Sequence, residues 1–104
     1  MPSAYTDRML AEDDGVRRVE VVVHGVVQGV GFRWAAREAA ARFGVSGTAR
    51  NRSDGTVEVQ VEGQRQQVDA MLQWLAHGPS TSMVERVDTR DVPPRGESGF
   101  HITS

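Results

Sequence analysis

Residues 24–33 read HGVVQGVGFR, and Gly25, Gly29 and Gly31 stand just ahead of Arg33. Backbone without side chains lets successive N–H groups converge on one point. A guanidinium adds a planar fork that matches phosphate oxygens. A helix beginning there would contribute unpaired N–H groups and a partial positive charge. The chemistry open to this set is the holding of a phosphate. The same glycines also suit a plain strand-to-helix turn with Arg33 in solvent. The spacing is G-x-x-x-G-x-G rather than G-x-G-x-x-G, and no G-K-[ST] follows, so nucleotide binding of those types is disfavoured.

The flanking patterns supply the strand and the helix. Val-rich residues 17–24, RRVEVVVH, predict a strand. From Phe32 the period changes: Phe32, Ala35, Ala36, Ala39, Ala40 and Phe43 form one helical stripe, and Gly44 stands where a C-cap glycine is expected. A second strand is expected at 45–51, then a turn at Asp54-Gly55. Residues 56–62, TVEVQVE, alternate cleanly, with Val57, Val59 and Val61 inward and Thr56, Glu58, Gln60 and Glu62 outward. After Gly63 a helix is predicted over 64–77, with Val68, Met71, Leu72 and Leu75 on one face and Gly78-Pro79 ending it. SMVERVDTRDV gives a fourth strand, PPRGES a loop, and GFHITS a short last strand or tail. The order β-α-β-β-α-β is the α+β, ferredoxin-like split βαβ arrangement, an antiparallel sheet with two helices on one face.

Composition narrows the function classes. The 104 residues fit one domain, expected over 16–104 behind a mobile tail at 1–15 in which Tyr5, Met9 and Leu10 dock weakly. There is no cysteine, hence no disulfide framework and no thiol nucleophile. No apolar run approaches a membrane span and no signal-peptide pattern opens the chain, so a cytoplasmic protein without membrane contact is expected. The net charge is −2, every basic residue is Arg, and only six residues are aromatic. Nucleic acid is therefore not an expected partner, and any phosphate chemistry must use guanidinium. His24, His77 and His101 have no ligand spacing, and neither a metal nor a cofactor is expected.

GVVQGVGFR, followed after a helix by GVSGTARNRSDGTVEV, resembles the acylphosphatase family, and the likeness runs from about Val19 to Val92, taking in HGPSTSMVERV. The resemblance implies the fold already read from periodicity and hydrolysis of acyl phosphates. It implies a phosphate-binding loop at Gly25, Val26, Val27, Gln28, Gly29, Val30 and Gly31, with Arg33 as the phosphate-binding arginine. It implies Asn51 as the asparagine that positions the attacking water. The family pattern is departed from at Thr48-Ala49, where an aromatic and a valine are frequent, so thinner packing beside Asn51 is expected.

The physical requirements fit those residues. An acyl phosphate is a mixed anhydride with a good carboxylate leaving group and needs little general-acid help. What a protein must supply is charge stabilisation at the phosphoryl oxygens and a water in line. The expected substrate is a small acyl phosphate, with inorganic phosphate as product and inhibitor, and a monomer is the default. An RNA-recognition module on the same arrangement would want exposed aromatics on the central strands, which TVEVQVE lacks. A regulatory anion-binding domain would not need Asn51. Larger carbamoyl-transfer proteins carry a module of this kind, but a complete single-domain protein is the simpler expectation for a chain that opens on Met1.

The remaining polar and aromatic residues have plainer readings. His24 is read as a strand-end residue beside the loop, and Trp34 as half-buried packing or a wall of the substrate pocket. Trp74 is read as packing or surface, Glu58 and Glu62 as a solvated strand face, Arg50 and Arg52 as solvated hairpin residues, and Asp54 as a turn former.

Overall fold

The computed structural model describes residues 15–104, and the docking expected of Tyr5, Met9 and Leu10 lies outside them. Five strands and two helices follow in the order β1 (Val16–Val26), α1 (Phe32–Phe43), β2 (Ser46–Asn51), β3 (Val57–Gln64), α2 (Arg65–His77), β4 (Met83–Val92) and β5 (Phe100–Thr103). The sheet order is β4-β1-β3-β2-β5. Each helical crossover skips one strand: β1 to β2 passes over β3, and β3 to β4 passes over β1. This is the expected ferredoxin-like α+β fold.

Valine alternation sets the register at the centre. Val19, Val21 and Val23 of β1 lie opposite Val61, Val59 and Val57 of β3, all fully or almost fully buried. A slip of one residue would turn all of them to the other face. The helices cover this layer with Phe32, Ala36, Ala39 and Ala40 from α1 and Val68, Met71 and Leu75 from α2. The alanines let α1 sit close to the sheet, while full burial of each valine is worth roughly 1.5–3 kcal/mol. Gly44 closes α1 in the left-handed region and donates its N–H to the Ala40 carbonyl at 2.8 Å.

Several expectations are corrected. The sheet is not wholly antiparallel, because β5 pairs parallel with β2. β1 extends to Val26, so Gly25 and Val26 end a strand rather than open a loop. β3 runs through Gly63 to Gln64, since Arg17 and Val16 of β1 continue the ladder opposite them. Thr56 is buried, not outward: its N–H and hydroxyl both donate to the Asp54 carboxylate, at 3.1 and 2.6 Å.

Glu62 is the largest departure from the sequence pattern. It does point away from the helices, yet it is only 4% exposed, because residues 93–98 fold over that face of the sheet. Its carboxylate accepts from the Arg95 and Gly96 N–H groups at 2.9 and 2.7 Å and from Arg18 Nη1 at 2.7 Å. Arg18, itself 1% exposed, also donates to Glu97 at 2.9 Å and to Gln60 at 2.9 Å. Burial alone pushes the Glu62 carboxyl up, but the two backbone donors and Arg18 outweigh it and hold it below the usual carboxylate range.

Candidate active site

The path from β1 to α1 is governed by two different uses of glycine. At Gly25 the ladder to β4 shifts register, and a Cβ there would lie 2.1 Å from the Met83 carbonyl oxygen. Gly25 is thus bare because β4 passes against it. Gly29 and Gly31 have φ of 74° and 79°, and a Cβ on either would meet nothing within 4 Å. These two supply the left-handed turns of the loop and leave open space above it. Between them, the Val30 carbonyl accepts from the Thr81 hydroxyl at 2.8 Å, which ties the loop to the segment before β4.

The loop delivers the chain into α1 with its N-terminus bare. Gly31 is the N-cap, no side chain caps it, and no acidic residue lies in the first turn. The first i-to-i+4 bond runs from the Ala35 N–H to the Gly31 carbonyl at 3.0 Å, so the N–H groups ahead of it have no intrahelical acceptor. The positive end of the helix dipole adds to the Arg33 guanidinium in that same turn. Arg33 Nη1 donates to the Thr103 carbonyl of β5 at 3.3 Å, which orients the fork from outside the helix.

A hollow of about 220 Å³ opens at this point. Gly29, Gly31, Arg33 and Asn51 form its polar part, and Val27, Phe32 and Trp34 its apolar part. Asn51 is the last residue of β2, placed opposite Val57. The hairpin that follows it is locked to the loop by Gln28, whose amide donates to the Arg52 and Thr56 carbonyls at 2.8 and 2.9 Å. Elements distant in sequence thereby share one site.

Five of the residues expected at the site, Val27, Gly29, Gly31, Arg33 and Asn51, line this hollow. Gly25, Val26, Gln28 and Val30 do not; Val26 is 55% exposed at the end of β1, and the Gln28 side chain is spent on the hairpin. Sequence reasoning missed Phe32 and Thr103 and left Trp34 undecided. Trp34 is 60% exposed, with the Arg37 guanidinium 4.0 Å from the ring centroid. Phe32 is anchored beneath by Trp74, their centroids 5.9 Å apart.

The neighbouring charges have structural partners. His24 Nε2 lies 2.9 Å from Asp88, and Arg86 hydrogen-bonds Asp88 as well. The Arg86 bond, more than burial can oppose, holds the Asp88 carboxyl low. Arg50 pairs with Glu58 at 2.8 Å, so neither is simply solvated. Among the described residues no group of three or more His, Cys, Asp or Glu side chains could hold a metal ion, and no helix is long and apolar enough to cross a membrane.

Comparison with known proteins bears on this geometry. The acylphosphatase family model matches residues 19–102. An acylphosphatase of Aeromonas salmonicida is 46% identical over 87 residues, 84% of this chain and 97% of that one. One of Roseiflexus sp. is 49% identical over 86 residues, 82% of this chain and 92% of that one. The crystal structure of an acylphosphatase from Bacillus subtilis superposes with a TM-score of 0.82 at 28% identity, covering 85% of this chain and 99% of the other.

Proposed function

The chain belongs to the acylphosphatase family and is an enzyme of that kind, and on that premise we propose how its hollow performs the hydrolysis. The substrate phosphate sits on the loop 27–31, its oxygens held by loop N–H groups, the first N–H groups of α1 and Arg33. The Asn51 amide orients a water in line with the bond to the acyl oxygen. As the water oxygen bonds to phosphorus, the P–O bond to the acyl group breaks and the carboxylate leaves with the electron pair. The water's proton passes to a phosphate oxygen, and the products are carboxylate and inorganic phosphate. No side chain need act as nucleophile or base, since donors aimed at the developing charge carry the rate.

The observation that carries this reading is the bare N-terminus of α1 with Arg33 in its first turn and Asn51 on the wall of the same hollow. Charge on the phosphoryl oxygens is met by these donors, so the reaction proceeds without a metal. The chain acts on small acyl phosphates, as a monomer in the cytoplasm. The test is benzoyl phosphate turnover in buffer containing a chelator, with and without inorganic phosphate. Turnover that survives the chelator and is inhibited competitively by phosphate is expected. Absent turnover by folded protein would leave the hollow as an anion-binding site.

A further inference from the structure

We propose that Trp34 sets the acyl preference of this enzyme, favouring flat, apolar acyl groups of the aromatic class over acetyl. The inference rests on the acylphosphatase reading of the hollow and goes beyond it by assigning the wall that receives the leaving half of the substrate.

The hollow divides by chemistry. Arg33, Asn51 and the two glycines offer polar groups suited to phosphate, whereas Val27 and Phe32 form an apolar floor at 1% and 2% exposure. Trp34 is the other apolar residue there, and it is 60% exposed. Val16, Val26 and Met83 are the other large apolar side chains exposed among the described residues, and none of them lines this hollow. An indole left in water beside a polar cradle is a surface awaiting an apolar group.

One face of the ring already has a partner. Arg37, one turn along α1, holds its guanidinium 4.0 Å from the ring centroid. The cation occupies one face of the ring and leaves the rest for a ligand. In-line attack by a water at Asn51 places the departing acyl oxygen on the side of phosphorus away from β2, and α1 carries Trp34. A benzoyl group extending from there gains stacking on the indole, while an acetyl group is too short to exploit it.

The experiment compares wild type, Trp34→Ala and Trp34→Phe on benzoyl and acetyl phosphate. The unreactive analogues phenacylphosphonate and acetonylphosphonate serve as competitive inhibitors. Trp34→Ala is expected to lower kcat/KM for benzoyl phosphate about tenfold, mostly through KM, and to change acetyl phosphate less than about twofold. Phenacylphosphonate inhibition weakens in parallel, acetonylphosphonate inhibition does not, and Trp34→Phe restores most of the difference. Equal losses on both substrates, or an unchanged ratio of the two inhibition constants, would overturn the proposal while leaving the hydrolase reading intact. A wild type that turns over neither substrate would overturn both.

Discussion

Gln28 and Thr56 are joined by a 2.9 Å hydrogen bond from the glutamine amide to the threonine carbonyl. The same amide also reaches the Arg52 carbonyl at 2.8 Å. This side chain couples the glycine loop to the hairpin that begins at Asn51, so the spacing between the proposed phosphate and water sites depends on a residue that lines neither. Gln28→Ala removes one of two donors from each carbonyl, since the Gly55 N–H still reaches Arg52 and the Arg52 N–H still reaches Thr56. The loss of two hydrogen bonds is expected to destabilise the fold by about 1–3 kcal/mol. Urea unfolding measures that loss, and kcat is expected to fall with it. Unchanged kcat in a destabilised variant would show that the tie is structural only.

The two kinds of glycine predict two kinds of defect. Gly25→Ala sets a methyl against the Met83 carbonyl at 2.1 Å, with backbone on both sides of the clash. At least about 2 kcal/mol of stability is expected to be lost. Gly29→Ala meets open space and pays chiefly for its φ of 74°, about 1–2 kcal/mol. Its specific effect is weaker inhibition by inorganic phosphate, measured as a rise in the inhibition constant that Gly25→Ala does not share once folded protein is counted.

The sequence pattern made the central layer legible because valines alternating on β1 and β3 can face the helices in one register only. It also placed Arg33 and Asn51 at the ends of elements that meet. It misread Glu62, since alternation says which face a side chain takes and not what covers that face. The covering loop 93–98 is held by a buried arginine that reads, in sequence, as any strand-end charge. The parallel pairing of β5 was equally hidden, because four residues after a long loop carry no sign of their partner. Gly25 looked like its two neighbours in the motif, and only the approach of β4 separates their roles.

Glu62 predicts acid sensitivity of a particular sign. Its carboxyl is held low in the folded state, so its stabilising contribution is full above the unfolded carboxylate pKa of about 4.3. That contribution is lost as pH falls through the lower folded value. Glu62→Gln turns an NH₂ toward donors from Arg18 or the 95–96 backbone. Near neutral pH it is expected to lower stability by about 1–3 kcal/mol, because Arg18 keeps Glu97 and Gln60 as partners. As pH falls below about 4.3 the gap between wild type and variant narrows. Denaturant midpoints measured across pH 3–7 check this, and a constant gap between the two curves would contradict it.

The central claim is a division of labour between Arg33 and Asn51, and steady-state kinetics of their alanine variants tests it most directly. Both kcat values for benzoyl phosphate are expected to fall by about 10²–10³ or more with the fold intact. Arg33→Ala should also abolish competitive inhibition by inorganic phosphate, whereas Asn51→Ala should leave that inhibition near the wild-type level. Near-normal turnover in either variant, or loss of phosphate binding in Asn51→Ala alone, would contradict the account.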